Sequence, residues 1–165
     1  MPRLFLDLDG VLADFDAGAI DLLGMAPADF EARHGRGEFW RRIAKSRNFY
    51  GLLPEMADAR ILFDAVAHLD PTILTGLPFG NWAGPQKVAW AAKHFPGVSI
   101  ITCMASDKHK YMAPGDVLVD DRENHRAAYE RAGVVFVHHR DADDSLKQLA
   151  KIFPSVAERA KPRSS

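Results

Sequence analysis

Short apolar runs alternate with helix-like segments from about residue 70 onward. An earlier apolar run, Leu4, Phe5, Leu6 and Leu8, suits a buried strand near the N-terminus. Four further runs are predicted to be strands, at residues 72–75, 98–102, 117–119 and 134–137. Three segments are predicted to be helices, at residues 85–94, 124–132 and 143–152. Because alternating strands and helices form parallel sheets covered on both faces, the pattern predicts an α/β fold.

The stretch from residue 16 to residue 68 has a different pattern, with no convincing strand. Its helix-like segments are residues 16–23, 28–34, 38–45 and 58–68. Ordinary crossover helices are the alternative, but one short helix suffices for a crossover, whereas this stretch has about fifty residues. We therefore predict a helical cap (16–68) over the carboxyl end of the sheet, where open α/β folds bind ligands. The core is then predicted to be residues 1–15 and 69–160, with a polar tail at 161–165.

Two aspartates, Asp7 and Asp9, follow the first predicted strand, and Gly10 then lets the backbone turn tightly. A strand that runs into an Asp-Gly turn is common in soluble proteins. Two carboxylates at one strand end, however, repel each other unless a cation or a shared proton compensates them. One aspartate there can serve as a nucleophile that forms an aspartyl-phosphate, and the other as a general acid and base.

A second apolar run, residues 117–119, ends in Asp120-Asp121-Arg122. As an isolated feature, these polar residues would be a solvated turn. Together with Asp7 and Asp9, they can complete the oxygen shell that Mg²⁺ prefers, which combines a few carboxylates with substrate phosphate and water. The pairing therefore predicts a magnesium site.

The sequence Asp-x-Asp-Gly-Val-Leu-x-Asp from Asp7 to Asp14 resembles motif I of the haloacid dehalogenase (HAD) superfamily, and residues 116–121 resemble its motif IV. The resemblance implies a Rossmann-like core in which Asp7 is the nucleophile and Asp9 the general acid and base. It also implies that Mg²⁺ is held by Asp7, the backbone carbonyl of Asp9 and a motif IV acid. By position, Asp121 is the expected direct ligand, with Asp120 close behind. A further acid is expected to converge on the site by motif position, namely Asp116.

The remaining superfamily motifs have candidates as well. Thr75 ends the second predicted strand as motif II does, and its hydroxyl is expected to bind phosphate; Gly76 follows it. The motif III lysine is Lys108 or Lys110, and counting back from motif IV without gaps favours Lys110. Lys87 lies in the helix after motif II, where it either contacts phosphate from the side or lies on a solvated face.

A narrower resemblance is to the 5′(3′)-deoxyribonucleotidase family, and it covers most of the chain, from Leu4 to about Ala132. The matching segments are residues 9–15, 39–40, 87–90 and 119–122. In that family, aromatic residues at the positions of Phe15, Phe39 and Trp40 line a pocket for the nucleotide base. The alternative for the last two is that they form cap core. Two departures leave the sugar and phosphate preference open: Gly76 replaces a serine, and Lys108 stands at an arginine-like position.

Composition and charge limit the expected partners. The formal net charge is −1, so no global field draws the chain to nucleic acid or to an anionic membrane. The single cysteine, Cys103, excludes an intramolecular disulfide and a cysteine zinc cluster. No apolar run approaches membrane-spanning length. We therefore expect a cytoplasmic protein with a small phosphorylated substrate and no nucleic-acid or membrane partner, and the oligomeric state stays open.

These observations predict a Mg²⁺-dependent phosphomonoester hydrolase that dephosphorylates nucleoside or deoxynucleoside monophosphates. One alternative is a HAD phosphatase for another small phosphate, such as a sugar phosphate. Another is a non-catalytic regulator that binds a phosphate or nucleotide, although the intact pair of Asp7 and Asp9 argues against it. A third is a phosphatase that processes nucleic-acid ends, against which the balanced charge argues.

Overall fold

The computed structural model describes residues 1–159, and the predicted tail at 161–165 lies outside them. Within the described residues, five strands form one parallel sheet: β1 (Leu4–Leu6), β2 (Thr72–Gly76), β3 (Ile100–Cys103), β4 (Val117–Asp120) and β5 (Val135–His138). Their order across the sheet is β3-β2-β1-β4-β5, so β1 is central. The predicted α/β fold with a parallel sheet is confirmed.

Helices flank the sheet and fill the insertion after β1. They are α1 (Phe15–Leu23), α2 (Pro27–His34), α3 (Arg36–Lys45), α4 (Ala59–Val66), α5 (Ala83–His94), α6 (Arg126–Arg131), α7 (Ala142–Ile152) and α8 (Pro154–Arg159). Short 3₁₀ segments lie at Tyr50–Leu52, Ala67–Leu69 and Ala105–Tyr111. The sequence did not predict α8; it begins at Pro154, whose fixed φ and missing N–H suit the first helical position. Among residues 1–159, no helix is both long and apolar enough to span a bilayer.

The carboxyl ends of β1, β2 and β4 lie side by side. Phe5 is in register with Thr72 on one side and with Leu118 on the other. The N–H of Asp7 extends the second pairing by donating to the carbonyl of Val119 over 2.9 Å. The chain continues from β1 to β2 and β3 on one side and returns to β4 and β5 on the other. In open α/β sheets, ligands bind in the crevice at such a switch point, which here lies between β1 and β4.

The residues of β1 contribute alternately to two apolar clusters. Leu4 and Leu6 belong to the larger cluster, whereas Phe5 belongs to a smaller one that contains Leu118. Side chains alternate across a strand, so both faces of the sheet are buried, as a parallel sheet requires. The larger cluster also includes Phe39 of α3, so the insertion packs on the core through a continuous apolar layer.

The helical insertion after β1 is confirmed. Helices α1, α2 and α3 pack on one another, whereas α4 packs against α7 and α8. The division of the chain into a core and a cap at residue 68 stays a prediction. Because α4 packs against α7 and α8, the last part of the insertion lies with the helices beside the sheet.

Candidate active site

Three carboxylates meet in the crevice between β1 and β4. Asp7 follows β1, Asp120 ends β4 and Asp121 comes next, and one oxygen of each lies within 4.8 Å of the others. Asp7 and Asp120 are only 7% and 4% exposed. The parallel sheet brings them together because the carboxyl ends of neighbouring parallel strands meet at one edge. This group of oxygen ligands could hold a metal ion, as the sequence predicted.

The turn at Gly10 is shaped by the same carboxylates. Gly10 has a φ of +82°, which favours glycine, and a Cβ at this position would lie 2.1 Å from Oδ2 of Asp121. The residue therefore serves both the turn and the close approach of Asp121. Any side chain at position 10 would displace a carboxylate of the cluster.

The cluster carries more negative charge than its neighbours compensate. Burial first, and then the charges of Asp7 and Asp120, raise the pKa of Asp121 to about 8. Burial and the charge of Asp7, opposed by Lys108, together raise the pKa of Asp120 to about 6. Oδ1 of Asp121 is buried and has no hydrogen-bond partner among the described residues. These are the properties expected of ligands that face a cation.

The donor set fits Mg²⁺. The four acids Asp7, Asp9, Asp120 and Asp121 and the two buried ammonium groups together have a formal charge of −2 when all are ionised; neither ammonium pairs with Asp121, and Arg122 is the further positive charge near it. A divalent cation would balance that charge. The three clustered donors are carboxylates, without histidine or cysteine, and hard oxygen ligands suit Mg²⁺ better than zinc.

The first buried ammonium belongs to Lys108 and is directed at two of these carboxylates. Lys108 donates to Oδ1 of Asp7 over 2.8 Å and to Oδ2 of Asp120 over 2.9 Å. Lys110, which the gap-free count favoured, is not brought to the site: its side chain is 64% exposed and pairs with Asp107 over 2.8 Å. Residues Ala105–Tyr111 form a 3₁₀ segment, in which residues two apart point in different directions. The structure therefore brings Lys108, and not Lys110, to the carboxylates, and the motif III role of Lys108 stays a prediction.

The second buried ammonium belongs to Lys87, which is 1% exposed, so the solvated-face alternative is wrong. Its Nζ donates to Oδ2 of Asp9 over 2.7 Å, to Oγ1 of Thr75 over 3.0 Å and to the carbonyl of Gly76 over 2.7 Å. It also lies 4.4 Å from the ring centroid of Tyr50. Helix α5 thus directs a cation at Asp9, while Lys108 serves the neighbouring carboxylates.

Asp9 is held by one oxygen only. Oδ2 accepts from Lys87, whereas Oδ1 is buried without a partner among the described residues. Burial raises the pKa of Asp9; the charge of Asp7 adds to this effect and Lys87 opposes it. A carboxyl group that lines the cavity and has a raised pKa has the properties of a general acid and base.

Of the two residues predicted at motif II, one lines the cavity and the other does not. Gly76 lines the cavity, whereas Thr75 is fully buried and is not among the cavity-lining residues. A Cβ at Gly76 would lie 3.0 Å from Cβ and 3.2 Å from Cα of Ala105. The backbone of residue 105 therefore leaves little room for a serine at this position, which gives a structural reason for the glycine.

A cavity of about 880 Å³ opens above the carboxylates. Phe15 and Trp40 from the insertion line it, as the sequence predicted. Phe39 does not: it is 2% exposed and packs in the core of the insertion, with its ring centroid 5.2 Å from that of Trp40. The prediction for Phe39 as a pocket residue is therefore wrong. Neighbouring residues of a helix point about 100° apart, which allows only one of the pair to face the cavity.

Sequence reasoning missed four further aromatic residues of the cavity, namely Tyr50, Phe79, Trp82 and Tyr129. Tyr50 and Trp82 line it, and their rings stack with centroids 5.5 Å apart and planes 30° apart. Neither lies inside a regular α-helix or strand, so neither belongs to a periodic pattern. The adjacent aromatic residues Phe49 and Tyr50 within the insertion were a signal that could have indicated Tyr50.

Asp116, which was expected to converge on the site, lies at the opposite end of β4. Its carboxylate accepts from Nη2 of Arg3 over 2.6 Å and from the N–H of Ala113 over 2.7 Å. Four residues of strand separate it from Asp120, which is about 13 Å of rise. The expectation that Asp116 joins the metal ligands is therefore wrong.

Known structures share this fold at low sequence identity. A hydrolase from Streptococcus pneumoniae has a TM-score of 0.53 and 13% identity, covering 90% of this chain and 97% of that one. A hydrolase from Pseudomonas syringae has a TM-score of 0.51 and 14% identity, covering 92% and 99%. A HAD family hydrolase from Deinococcus radiodurans, solved with bound phosphate and sodium, has a TM-score of 0.50 and 15% identity, covering 93% and 88%.

No protein-family model and no curated protein matches the sequence. The similarity to the solved structures therefore establishes a HAD-like fold, and the chemistry has to be argued from the residues of the site.

Proposed function

We propose that this protein is a Mg²⁺-dependent phosphomonoester hydrolase that works through an aspartyl-phosphate on Asp7. The observation that carries the proposal is the buried group of Asp7, Asp120 and Asp121 at the switch point of the sheet, with the ammonium of Lys108 against two of them. The phosphate bound to the HAD family hydrolase from Deinococcus radiodurans supports a phosphorylated substrate.

The metal would be held by the carboxylates of Asp7 and Asp121, the backbone carbonyl of Asp9 and, close behind, Asp120. When bound, Mg²⁺ offsets the negative charge of the phosphoryl group and of the carboxylates around it. Lys108 contributes the same kind of stabilisation from the protein, because its ammonium already contacts Asp7, where the phosphoryl group is to be attached.

The reaction takes place in two steps. A carboxylate oxygen of Asp7 forms a bond to phosphorus while the ester P–O bond breaks, and Asp9 gives a proton to the departing alcohol oxygen. Asp9, now ionised, takes a proton from water, whose oxygen attacks phosphorus and breaks the acyl-phosphate bond. Inorganic phosphate leaves, Asp7 is again a carboxylate and Asp9 is again protonated. Gly76, at the end of β2, lines the same cavity, and its backbone would contact the phosphate group.

The proposed substrates are nucleoside or deoxynucleoside monophosphates. Six Phe, Tyr and Trp rings line the cavity, among them four that the substrate proposal uses, and stacking of a base on an aromatic side chain contributes about 1–3 kcal/mol. The four are Phe15, Trp40, Tyr50 and Trp82, and the other two rings are Phe79 and Tyr129. The volume of the cavity is in the range of ordinary ligand sites, which is about 300–1,000 Å³. A sugar phosphate would use the same carboxylates but not these rings.

A substrate panel tests the proposal. Phosphate release is measured with Mg²⁺ from nucleoside monophosphates, sugar phosphates and 3′-phosphorylated oligonucleotides, for the wild type and for Asp7→Asn. Asp143→Asn is the matched control, because this acid lies on the surface of α7 with an 81% exposed side chain. We expect turnover of nucleoside monophosphates by the wild type and the control, and none by Asp7→Asn. Equal turnover by Asp7→Asn would contradict the covalent route, and turnover of sugar phosphates alone would replace the substrate class.

A further inference from the structure

The ammonium of Lys87 is fully occupied by the protein. A lysine has three N–H donors, and those of Lys87 are taken up by Asp9, Thr75 and the carbonyl of Gly76. The side chain is 1% exposed, and the ring of Tyr50 covers it. No donor remains for a phosphate group, so a direct contact of Lys87 with substrate would first require one of these hydrogen bonds to break.

This arrangement fixes the orientation of Asp9. The carboxylate of an aspartate has two equivalent oxygens and a broad rotation about its last torsion, so it has no preferred orientation of its own. The hydrogen bond from Lys87 to Oδ2 removes that freedom, and Oδ1 is left buried and without a partner among the described residues. The carboxyl group of Asp9, which lines the cavity, is thereby held in one orientation.

Thr75 and Gly76 hold the lysine in turn. Both lie at the end of β2, where they accept from the ammonium through a hydroxyl oxygen and a carbonyl oxygen. Since Thr75 is fully buried, this contact with Lys87 is the role that its hydroxyl has in the structure. The rigid end of β2 therefore fixes the ammonium, and the ammonium fixes Asp9.

The two buried lysines divide the carboxylates between them. Lys108 contacts Asp7 and Asp120, whereas Lys87 contacts Asp9. We infer that Lys87 is a positioning residue for the acid–base group, whose ammonium holds the carboxyl group of Asp9 in the orientation in which it protonates the leaving group and later deprotonates water; this rests on the proposed function.

The test compares two leaving groups. An alkyl phosphate, such as a nucleoside monophosphate, needs its departing oxygen protonated, whereas dinitrophenolate leaves from dinitrophenyl phosphate without a proton. Replacing the lysine by methionine, in Lys87→Met, should lower kcat/KM for the alkyl ester about ten- to hundred-fold, the scale of a misplaced catalytic group. For dinitrophenyl phosphate the loss should stay within about three-fold, since kcat/KM covers the first step only. Lys93→Met, an exposed position on the same helix, is the control.

A double-mutant cycle gives an independent readout. If Lys87 acts through Asp9, the variant Asp9→Asn/Lys87→Met should have the same kcat/KM for the alkyl ester as Asp9→Asn alone, within about three-fold. Multiplicative losses would mean that Lys87 acts elsewhere and would overturn the inference. A rise in KM that is equal for both esters would also overturn it, because it would make Lys87 a phosphate ligand.

Thermal unfolding of each variant separates folding from chemistry. If Lys87→Met does not fold, Lys87→Gln takes its place, because the amide can still donate two hydrogen bonds. If neither folds, the ammonium is a requirement of the fold and the inference is overturned. If the wild type turns over both esters and Lys87→Met loses the same factor on each, the inference is overturned but the proposed function is not. A wild type without turnover of either ester, and without phosphate on Asp7, overturns the proposed function and the inference with it.

Discussion

The two ends of β4 carry aspartates in opposite surroundings. At the amino end, Asp116 is 4% exposed, and its two oxygens accept hydrogen bonds from Arg3 and from the N–H of Ala113. Burial by itself would raise its pKa, but these donors hold the pKa below the ordinary value. At the carboxyl end, burial raises the pKa of Asp120 to about 6 and that of Asp121 to about 8, in spite of Lys108 and Arg122.

The difference shows how a structural carboxylate is distinguished from a functional one. Both ends are buried and both are acidic, so burial and residue type do not separate them. What separates them is the supply of donors: Asp116 has enough, whereas Asp121 has a buried oxygen with none among the described residues. A folded protein tolerates such uncompensated charge mainly where a ligand or ion completes it, and strongly perturbed carboxyl groups therefore mark candidate sites.

The largest expected effect lies at the uncompensated end. Asp7→Asn should lower turnover at least about a thousand-fold, because an amide cannot form the acyl phosphate and residues that act as a unit lose most of the rate together. The fold should remain intact, since the amide fills the same space and removes a repulsion. Phosphate release and thermal unfolding measure the two effects. A variant that keeps more than a few per cent of the wild-type rate would show that Asp7 is not the nucleophile.

Metal affinity gives the next effect. Asp121→Ala should weaken Mg²⁺ binding about ten- to hundred-fold, the scale seen when the surroundings of a metal are altered, and more than Asp120→Ala does. Asp120 already has donors from Lys108 and from the N–H of Arg122, whereas Asp121 has a free buried oxygen. Calorimetric titration with Mg²⁺ measures both constants. Full activity after exhaustive chelation would contradict the need for Mg²⁺. A larger loss of affinity for Asp120→Ala than for Asp121→Ala would make Asp120 the direct ligand.

A similar contrast exists between neighbours in the insertion, and it predicts a smaller effect. Trp40 lines the cavity and Phe39 packs in the core. Trp40→Ala should raise KM for a nucleoside monophosphate roughly ten-fold, from the stacking energy of a base, and barely change KM for p-nitrophenyl phosphate. Phe39→Ala should instead lower thermal stability and affect both substrates alike. Equal losses on both substrates for Trp40→Ala would leave a phosphatase of unknown leaving group.

The sequence predicted what depends on the order of apolar and polar residues. The runs that became β1 and β4, each followed by aspartates, were sufficient to predict that Asp7, Asp120 and Asp121 meet, because parallel strands place their carboxyl ends together. The same reasoning should have excluded Asp116, since a strand rises about 3.3 Å per residue and the two ends of β4 cannot share one ion.

The wrong predictions concern residues whose side-chain direction depends on their exact position in a helix or 3₁₀ segment. Whether Lys108 or Lys110 faces the site is decided by a 3₁₀ segment that no periodic pattern indicates. Lys87 sits in a helix where a lysine is ordinarily solvated, and only the tertiary fold supplies the three acceptors that make its burial tolerable. Phe39 and Trp40 are both aromatic, so composition alone could not assign one to the core and the other to the cavity.

The smallest expected effect lies at the compensated end of β4 and is visible in stability alone. Asp116→Asn should lower Tm by a few degrees at neutral pH, with kcat/KM unchanged within about three-fold, because Arg3 is largely exposed and such pairs contribute little. Since the pKa of Asp116 is lower in the folded than in the unfolded protein, its stabilisation is present above the ordinary value and is lost as pH falls through the folded pKa. The Tm difference between wild type and variant should therefore shrink as the pH falls below about 4. Thermal unfolding from pH 7 to pH 3 measures it, and a difference that grows towards acid would mean that the Asp116 carboxylate does not stabilise the fold through its charge.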